Sequence, residues 1–302
     1  MIVEETVPPA LDGQRVDRVV SLLSGVSRSA ADGLIEGGHV VVDGDSSPSK
    51  KAKLRAGQVI VIDLSAVPGP ARPEPDPSVV FTVVYADDDV IVIDKPAGLV
   101  VHPAVGNETG TLVNGLLARY PEIVGVGEPD RPGIVHRLDA GTSGLLVVAR
   151  SLVAHAVLSR RLASHDVERV YTALVWGHLS AQQGLIDAPI GRHPKDPLRM
   201  GVVVNGKPAR THFAVERTFA APDTSLLTCT LETGRTHQIR VHLAAIDHPV
   251  VGDTIYGGNR PGIAIGRPFL HAARLAFEHP VTSEPMSFTS ELAADLVAVT
   301  PT

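Results

Sequence analysis

His136-Arg137-Leu138-Asp139-Ala140-Gly141-Thr142-Ser143-Gly144 sets one carboxylate, Asp139, two residues after an arginine in a short polar stretch that carries glycines. The apolar run Leu145-Leu146-Val147-Val148-Ala149 follows at once and reads as a buried strand. A strand holds its adjoining loop rigidly, and such loops commonly carry reactive side chains. A lone loop aspartate is most often a turn former, so the chemistry rests on what accompanies it. Three segments do so. Asp94-Lys95-Pro96-Ala97-Gly98-Leu99-Val100-Val101-His102-Pro103 is a rigid turn after a strand, flanked by a lysine and a histidine. Arg169-Val170-Tyr171-Thr172-Ala173-Leu174-Val175 places a tyrosine near the start of an apolar strand. Leu231-Glu232-Thr233-Gly234-Arg235-Thr236-His237-Gln238-Ile239-Arg240-Val241-His242 packs arginines, histidines and a glutamine beside another strand.

Each segment has a plain structural explanation: a strand end, a core aromatic, a salt-bridged turn. Together they supply what a nucleophilic or basic carboxylate needs. A partly desolvated carboxylate stays ionised only beside a cation, and Arg240 is the candidate. Tyr171 offers a flat ring on which a planar base can stack. Arg137 can fill the gap left in a nucleic-acid stack when a base is taken out.

Other chemistries find less support. Gly201-Val202-Val203-Val204-Asn205-Gly206-Lys207 begins like a phosphate-binding loop, but Pro208 stands where Ser or Thr should hold magnesium. Neither a G-x-G-x-x-G after a strand nor a G-x-S-x-G is present, which leaves dinucleotide binding and an esterase serine unsupported. The chain has 13 histidines, yet His237 and His242 are five apart rather than at the helical H-x-x-x-H spacing, so no metal is expected.

Composition sets the frame. The 302 residues are 44% hydrophobic and 20% charged, as in a folded chain of one large and one small domain. The start lacks a basic, then apolar, leader, and no apolar run approaches the ~20 residues of a membrane span. With a single cysteine, Cys229, no internal disulfide forms and a reducing cytosol is expected. The net charge of −6 argues against a polyanion partner, but its distribution does not. Residues 131–240 hold 14 Lys and Arg against 8 Asp and Glu, and the rest holds 13 against 25. A basic face on an acidic protein can still bind a nucleic acid.

Residues 12–63 read as a small unit. Val16, Val19, Val20, Leu22 and Leu23 recur at near-helical spacing, Ser27-Arg28-Ser29 can cap a second helix to about Glu36, and Gly37-Gly38 ends it. Val40–Val42 and Gln58–Ile62 read as strands. Pro68, Pro70, Pro73, Pro75 and Pro77 make a stiff, extended linker. The expected division is 1–65, a linker 66–78, and 79–302. In the last, strands are expected at 79–84 and 90–93 around an Asp87-Asp88-Asp89 turn, at 170–176 and at 226–231. A Ser151-capped helix runs to about Ser164, with Leu152, Ala156, Leu158 and Leu162 among its apolar positions, and 236–245 is a helix or a bent strand. Strands and helices without βα alternation suggest an α+β fold.

The four segments closely resemble the RluA/RluC/RluD family of RNA pseudouridine synthases, over about residues 80–290. HRLDxGTSG and LETGRTHQIRVH are highly specific; KPAGLVVHP and RVYTALV are moderately so. Residues 12–63 resemble the αL RNA-binding motif shared with a small-subunit ribosomal protein, carried by Arg15-Val16-Asp17, Ser27-Arg28-Ser29 and Val40-Val41-Val42-Asp43-Gly44. That unit departs from the pattern in its 7 basic and 9 acidic side chains over residues 1–63 and in Asp43 and Asp45 at the turn, which argues against tight RNA binding by it alone. The resemblance implies a mixed, mainly antiparallel sheet in the larger domain and a small αL-type RNA-binding domain before it. It implies isomerisation of uridine to pseudouridine, with no cofactor and no metal. Asp139 would be the essential carboxylate, as nucleophile or as base, and Tyr171 the stacking residue. Arg240 would be its ionic partner, with Arg235 as the alternative, and Arg137 would replace the flipped base. His136, Thr142, Arg235, His237, Lys95, His102 and Arg28 are the further candidates for contact with RNA. The implied partner is RNA, large-subunit ribosomal RNA first and transfer RNA second, acted on by a cytoplasmic monomer. Two other readings remain at this point. A non-catalytic RNA chaperone has no use for a partly buried carboxylate with a cation and an aromatic. A glycosidase would need a second carboxyl group ~5–10 Å away, and only Asp94 and Glu232 are on offer.

Overall fold

The computed structural model describes residues 2–26, 28–46, 48–66, 72–104 and 106–301. The chain divides into two compact units, Met1–Ala71 and Arg72–Thr302. In the first, β1 (Ile2–Thr6), α1 (Val16–Ser24), α2 (Arg28–Glu36), β2 (Val40–Val42) and β3 (Val59–Asp63) form an antiparallel sheet of order β1-β3-β2 with two helices. The helical spacing buries Val16, Val19 and Val20 against Ala31, Leu34, Val40, Ile60 and Ile62, whereas Leu22 is exposed. Gly25, at φ 73°, ends α1 in the left-handed conformation that glycine adopts freely. Ser27, the expected cap of α2, lies outside the described residues.

The second unit contains β4 (Thr82–Ala86), β5 (Val90–Lys95), α3 (Leu112–Arg119), β6 (Ser143–Ala149), α4 (Leu152–Ala163), β7 (Glu168–Trp176), β8 (Gln183–Asp187), β9 (Ile190–His193), β10 (Asp196–Val202), β11 (Arg210–Ala220), β12 (Asp223–Leu231), α5 (Gln238–Ala245), β13 (Leu270–Glu278), β14 (Pro285–Thr289) and α6 (Ala294–Val297). Its large sheet runs β4-β5-β6-β13-β7-β12-β11-β8, with β14 on β13. Pairing is antiparallel except between β6 and β13. This is an α+β fold with a mainly antiparallel sheet. β9 and β10 form a separate hairpin.

Several local rules act where the sequence placed them. Asp87 turns the β4–β5 hairpin by accepting the backbone N–H groups of Asp89 and Val90, both at 2.8 Å. Ser151 caps α4 by accepting from the Ala154 N–H at 3.1 Å. The helix packs through Ala154, Leu158 and the partly buried Leu162, whereas Leu152 is 65% exposed and Ala156 is exposed, so two of the four expected positions face the core. β4 starts at Thr82 rather than 79 because Val79 turns back on Asp76 and Val80 is exposed. Glu74 and Asp76, from the proline-rich stretch, hydrogen-bond Asn114 of α3, so this part of the stretch packs on the larger unit. All seven residues of β6 are buried. Gly144 is obligatory there: at φ 107° a Cβ would sit 2.3 Å from the Ala272 carbonyl oxygen of β13.

Candidate active site

The loop ahead of β6 is fixed on both sides of Asp139. The Thr142 N–H donates to the Asp139 carbonyl at 3.0 Å, closing a turn. The next carbonyl, Ala140, accepts from the Gly98 N–H at 2.7 Å and from Lys95 Nζ at 3.2 Å. Lys95 also donates to the Pro96 and Leu99 carbonyls at 2.8 and 2.9 Å. It is fully buried, and burial pushes it down to about 8 against the opposing pull of Asp139. Lys95 therefore clamps the two loops together, and the expectation that it meets RNA is corrected: no face of it is open to a ligand. The Lys95-Pro96-Ala97-Gly98 turn is a brace for the Asp139 turn.

Beside it lies a cavity of about 480 Å³ lined by Asp139, Arg137, His136, Thr142, His102, Tyr171, Arg169, Arg235, His237 and Arg240 among others. The sheet and α5 thus bring nearly all the expected residues to one place. Arg28 belongs to the first unit, where its Nε lies 3.4 Å from Asp17 Oδ2.

The Asp139 side chain is 17% exposed. Its Oδ2 accepts from Arg240 Nη1 at 3.0 Å. The rest of the Arg240 fork is engaged by Asp253, with Nε to Oδ2 at 2.6 Å and Nη2 to Oδ1 at 3.0 Å. Asp253 is fully buried and further accepts the N–H groups of Ile255 and Tyr256. Burial opposes the Arg240 charge, but the bonds from Asp253 and Asp139 outweigh it and hold the guanidinium firmly protonated. Arg235, the alternative partner, is turned away: its Nε donates to the Pro208 carbonyl at 2.9 Å.

α5 owes its position to Gln238. Its Oε1 accepts from Thr233 Oγ1 and the Arg235 N–H, and its Nε2 donates to the Arg210 carbonyl and Thr211 Oγ1. All of the amide's hydrogen-bonding capacity is spent inside the fold. His242 likewise bonds Thr211 Oγ1 and the Ala188 carbonyl at 2.9 Å each, in a fully buried setting. His237 caps α5 with a left-handed backbone at φ 57°. Its Nε2 is 3.9 Å from Asp139 Oδ1, and its Nδ1 is 2.9 Å from the Tyr256 hydroxyl.

The β7 wall carries Tyr171 and Arg169, two residues apart and hence on one face of the strand. Tyr171 is 6% exposed; burial pushes its phenol up to about 12, opposed by Arg169 and reinforced by Asp139, so it is neutral at physiological pH. Arg169 is equally buried; among the described residues it bonds the carbonyls of Leu231 and Glu232, and its Nε has no partner there. His136 accepts the Val147 N–H on Nε2 at 3.1 Å, and burial together with Arg169 holds it down to about 3. The Nδ1 of His102 is buried without a hydrogen-bond partner among the described residues. Arg137 is exposed at the rim.

Asp253 and Tyr256 escaped the sequence reading, and Arg169, though part of a quoted segment, was given no role. The segment Gly252-Asp253-Thr254-Ile255-Tyr256-Gly257-Gly258 holds the available signal, an acidic residue framed by glycines. A Cβ on Gly258 would collide with the Val250 carbonyl, so the turn that presents Asp253 requires glycine there.

A family model described as RNA pseudouridylate synthase matches residues 89–245, the span that builds this cavity. The chain belongs to the RNA pseudouridine synthase family. An S4 domain model matches residues 14–60. The chain is 48% identical over 300 residues to an uncharacterized RNA pseudouridine synthase of Chloroflexus aurantiacus, covering 97% of this chain and 91% of that one. It is 44% identical over 305 residues to the ribosomal large subunit pseudouridine synthase D of Nitrosomonas europaea, covering 98% and 86%. Among solved structures it resembles human RNA pseudouridylate synthase domain containing 1, with 29% identity and a TM-score of 0.56 over 72% of this chain and 86% of that one. An RNA pseudouridine synthase is an isomerase acting on RNA, and an S4 domain is a second RNA-binding element. Among the described residues no helix is long and apolar enough to cross a membrane.

Proposed function

We propose that this pseudouridine synthase acts on uridine in large-subunit ribosomal RNA in the cytoplasm, with Asp139 as the essential carboxylate. The names of several close relatives favour that RNA over transfer RNA. The observation that carries the Asp139 assignment is its divided environment. One oxygen is held by Arg240, itself locked by buried Asp253, and the side chain faces a cavity of nucleoside size walled by Tyr171.

The reaction breaks the C1′–N1 bond of uridine and makes a C1′–C5 bond; C5 loses a proton and N1 gains one, so atoms and oxidation level are unchanged. Asp139 either attacks the nucleoside or removes a proton from its sugar, and in both cases the oxygen not held by Arg240 does the work. The neutral Tyr171 ring offers a stacking face worth ~1–3 kcal/mol to the extruded base. Arg137, exposed at the rim, occupies the space that the base leaves in the RNA stack. The Lys95 clamp and the β6 backbone hold Asp139 still while the uracil turns.

The test is to incubate ribosomal RNA and transfer RNA, each lacking pseudouridine, with wild-type protein and with Asp139→Ala, then map pseudouridine at nucleotide resolution. New sites with the wild type alone support the reading. Equal modification by both proteins defeats the Asp139 assignment, and modification confined to transfer RNA defeats the substrate.

A further inference from the structure

The hydroxyl of Tyr256 accepts the backbone N–H of Met200, on the β10 strand of the separate hairpin, at 3.1 Å. Its own hydrogen then has one acceptor within reach among the described residues, His237 Nδ1 at 2.9 Å. An imidazole that accepts on Nδ1 must carry its hydrogen on Nε2. Burial keeps His237 below the ordinary imidazole range, against the pull of Asp139, so the ring is neutral at physiological pH and this tautomer persists. The Nε2–H faces Asp139 Oδ1, the carboxylate oxygen that Arg240 does not hold. The 3.9 Å between them is too long for a hydrogen bond. It does suit an oxygen lying off the line between them, accepting from one and donating to the other. His237 reaches this place through a left-handed backbone at φ 57°, uncommon outside glycine although histidine is among the side chains that adopt it more often. Tyr256 is held from a second side as well, its ring lying 5.1 Å from the Arg240 guanidinium and 5.3 Å from that of Arg199.

We propose that His237 is a specificity residue that recognises the ribose 2′-hydroxyl of the target uridine: Nε2–H donates to O2′ while the 2′-hydroxyl donates to Asp139 Oδ1. This rests on the function proposed above, with Asp139 acting at the sugar. The bond to be broken lies at C1′, so the working oxygen of Asp139 sits along the C1′–C2′ edge, and O2′ is the polar atom of that edge. A hydroxyl is the group that can both accept and donate there. Tyr256 is a positioning residue that acts through His237 by fixing its tautomer.

A two-by-two comparison tests this. An RNA fragment on which the wild type forms pseudouridine is synthesised with uridine or 2′-deoxyuridine at the modified position. Single-turnover rates are measured for wild type and His237→Ala. The wild type should lose more than about tenfold on the deoxy substrate, which forfeits both the neutral bond from His237 and the charge-assisted bond to Asp139. His237→Ala should be slowed about tenfold on the ribo substrate and should lose about tenfold less than the wild type on the deoxy one, keeping only the part due to Asp139. His237→Asn, which tolerates the left-handed backbone and keeps an N–H donor, should recover part of the discrimination. Tyr256→Phe should weaken it. Equal discrimination by wild type and His237→Ala overturns the proposal, as does a wild type indifferent to the 2′-hydroxyl, or folded variants inactive on both RNAs. A wild type that makes no pseudouridine in any RNA refutes the functional reading instead, which separates the two failures.

Discussion

Two buried arginines line the same cavity and are compensated in opposite ways. Arg240, on α5, lies between two carboxylates, Asp139 and the fully buried Asp253. Arg169, on β7, has carbonyl oxygens alone, because the nearby Glu232 carboxylate is taken by Arg210 and His212 at 2.5 and 2.6 Å. Burial lowers the pKa of Arg169, whereas the two carboxylates raise that of Arg240. The α5 wall is an electrostatically closed structural unit whose purpose is to hold one carboxylate oxygen. The β7 wall keeps surplus positive charge beside the aromatic ring and the neutral His136, a setting suited to an electron-rich, polyanionic visitor. On the proposed function, one wall would position the reacting group and the other would receive the substrate.

The comparison can be broken most readily at Arg240. Arg240→Met leaves Asp253 buried without its partner and should cost about 3–5 kcal/mol of stability, read from urea unfolding; a loss under about 1 kcal/mol would show that the fork is not the keystone of that wall. The next largest effect is acid sensitivity from the β7 side. His136 binds a proton near pH 3 folded and near its ordinary 6.5 unfolded. Between these values the unfolded chain holds more protons, so stability falls as the pH drops from about 6.5 towards 3. Allowing for water in the cavity, the loss attributable to His136 should be roughly 2–4 kcal/mol. In His136→Gln, which retains an acceptor for the Val147 N–H, that part of the acid slope should vanish. Tyr171→Leu should weaken RNA capture by ~1–3 kcal/mol with the fold intact, while Tyr171→Phe, which keeps the ring, should bind as the wild type does; fluorescence anisotropy distinguishes them. The smallest effect on stability is expected at Arg169. Arg169→Met relieves an unpaired buried charge and forfeits two bonds to carbonyls, leaving the unfolding free energy within about 1 kcal/mol of wild type. A loss as large as that of Arg240→Met would erase the distinction between the walls.

The contrast also explains how much could be read in the sequence. Local signals sufficed where a single stretch encodes its own structure: the β6 run, the Asp87 turn, the Ser151 cap and the loop around Asp139. The α5 segment was ambiguous because its first apolar residues suit either a helix or a bent strand. The Gln238 network that settles it reaches back to Thr211 on β11. Asp253 and Tyr256 were missed for the same reason. Their role exists only once the glycine turn after Val250 carries them to Arg240 and His237. Lys95 was read as a ligand group because charge suggests a surface. Three loop carbonyls make burial tolerable instead, and only the folded turn supplies them. Strands β8, β11, β13 and β14 gave no clear period of their own, being defined by the partners they pair with.

The central claim is that Asp139, held by Arg240 on one oxygen and free on the other, carries the chemistry. Its most direct measurement is the single-turnover rate of pseudouridine formation in Asp139→Asn. That variant keeps the shape of the side chain but loses its charge, and it is tested on an RNA that it binds as tightly as the wild type does. The rate should fall at least about 10³-fold, the scale of removing a group that takes part in bond or proton transfer. A rate within about tenfold of wild type, with binding unchanged, would contradict that claim.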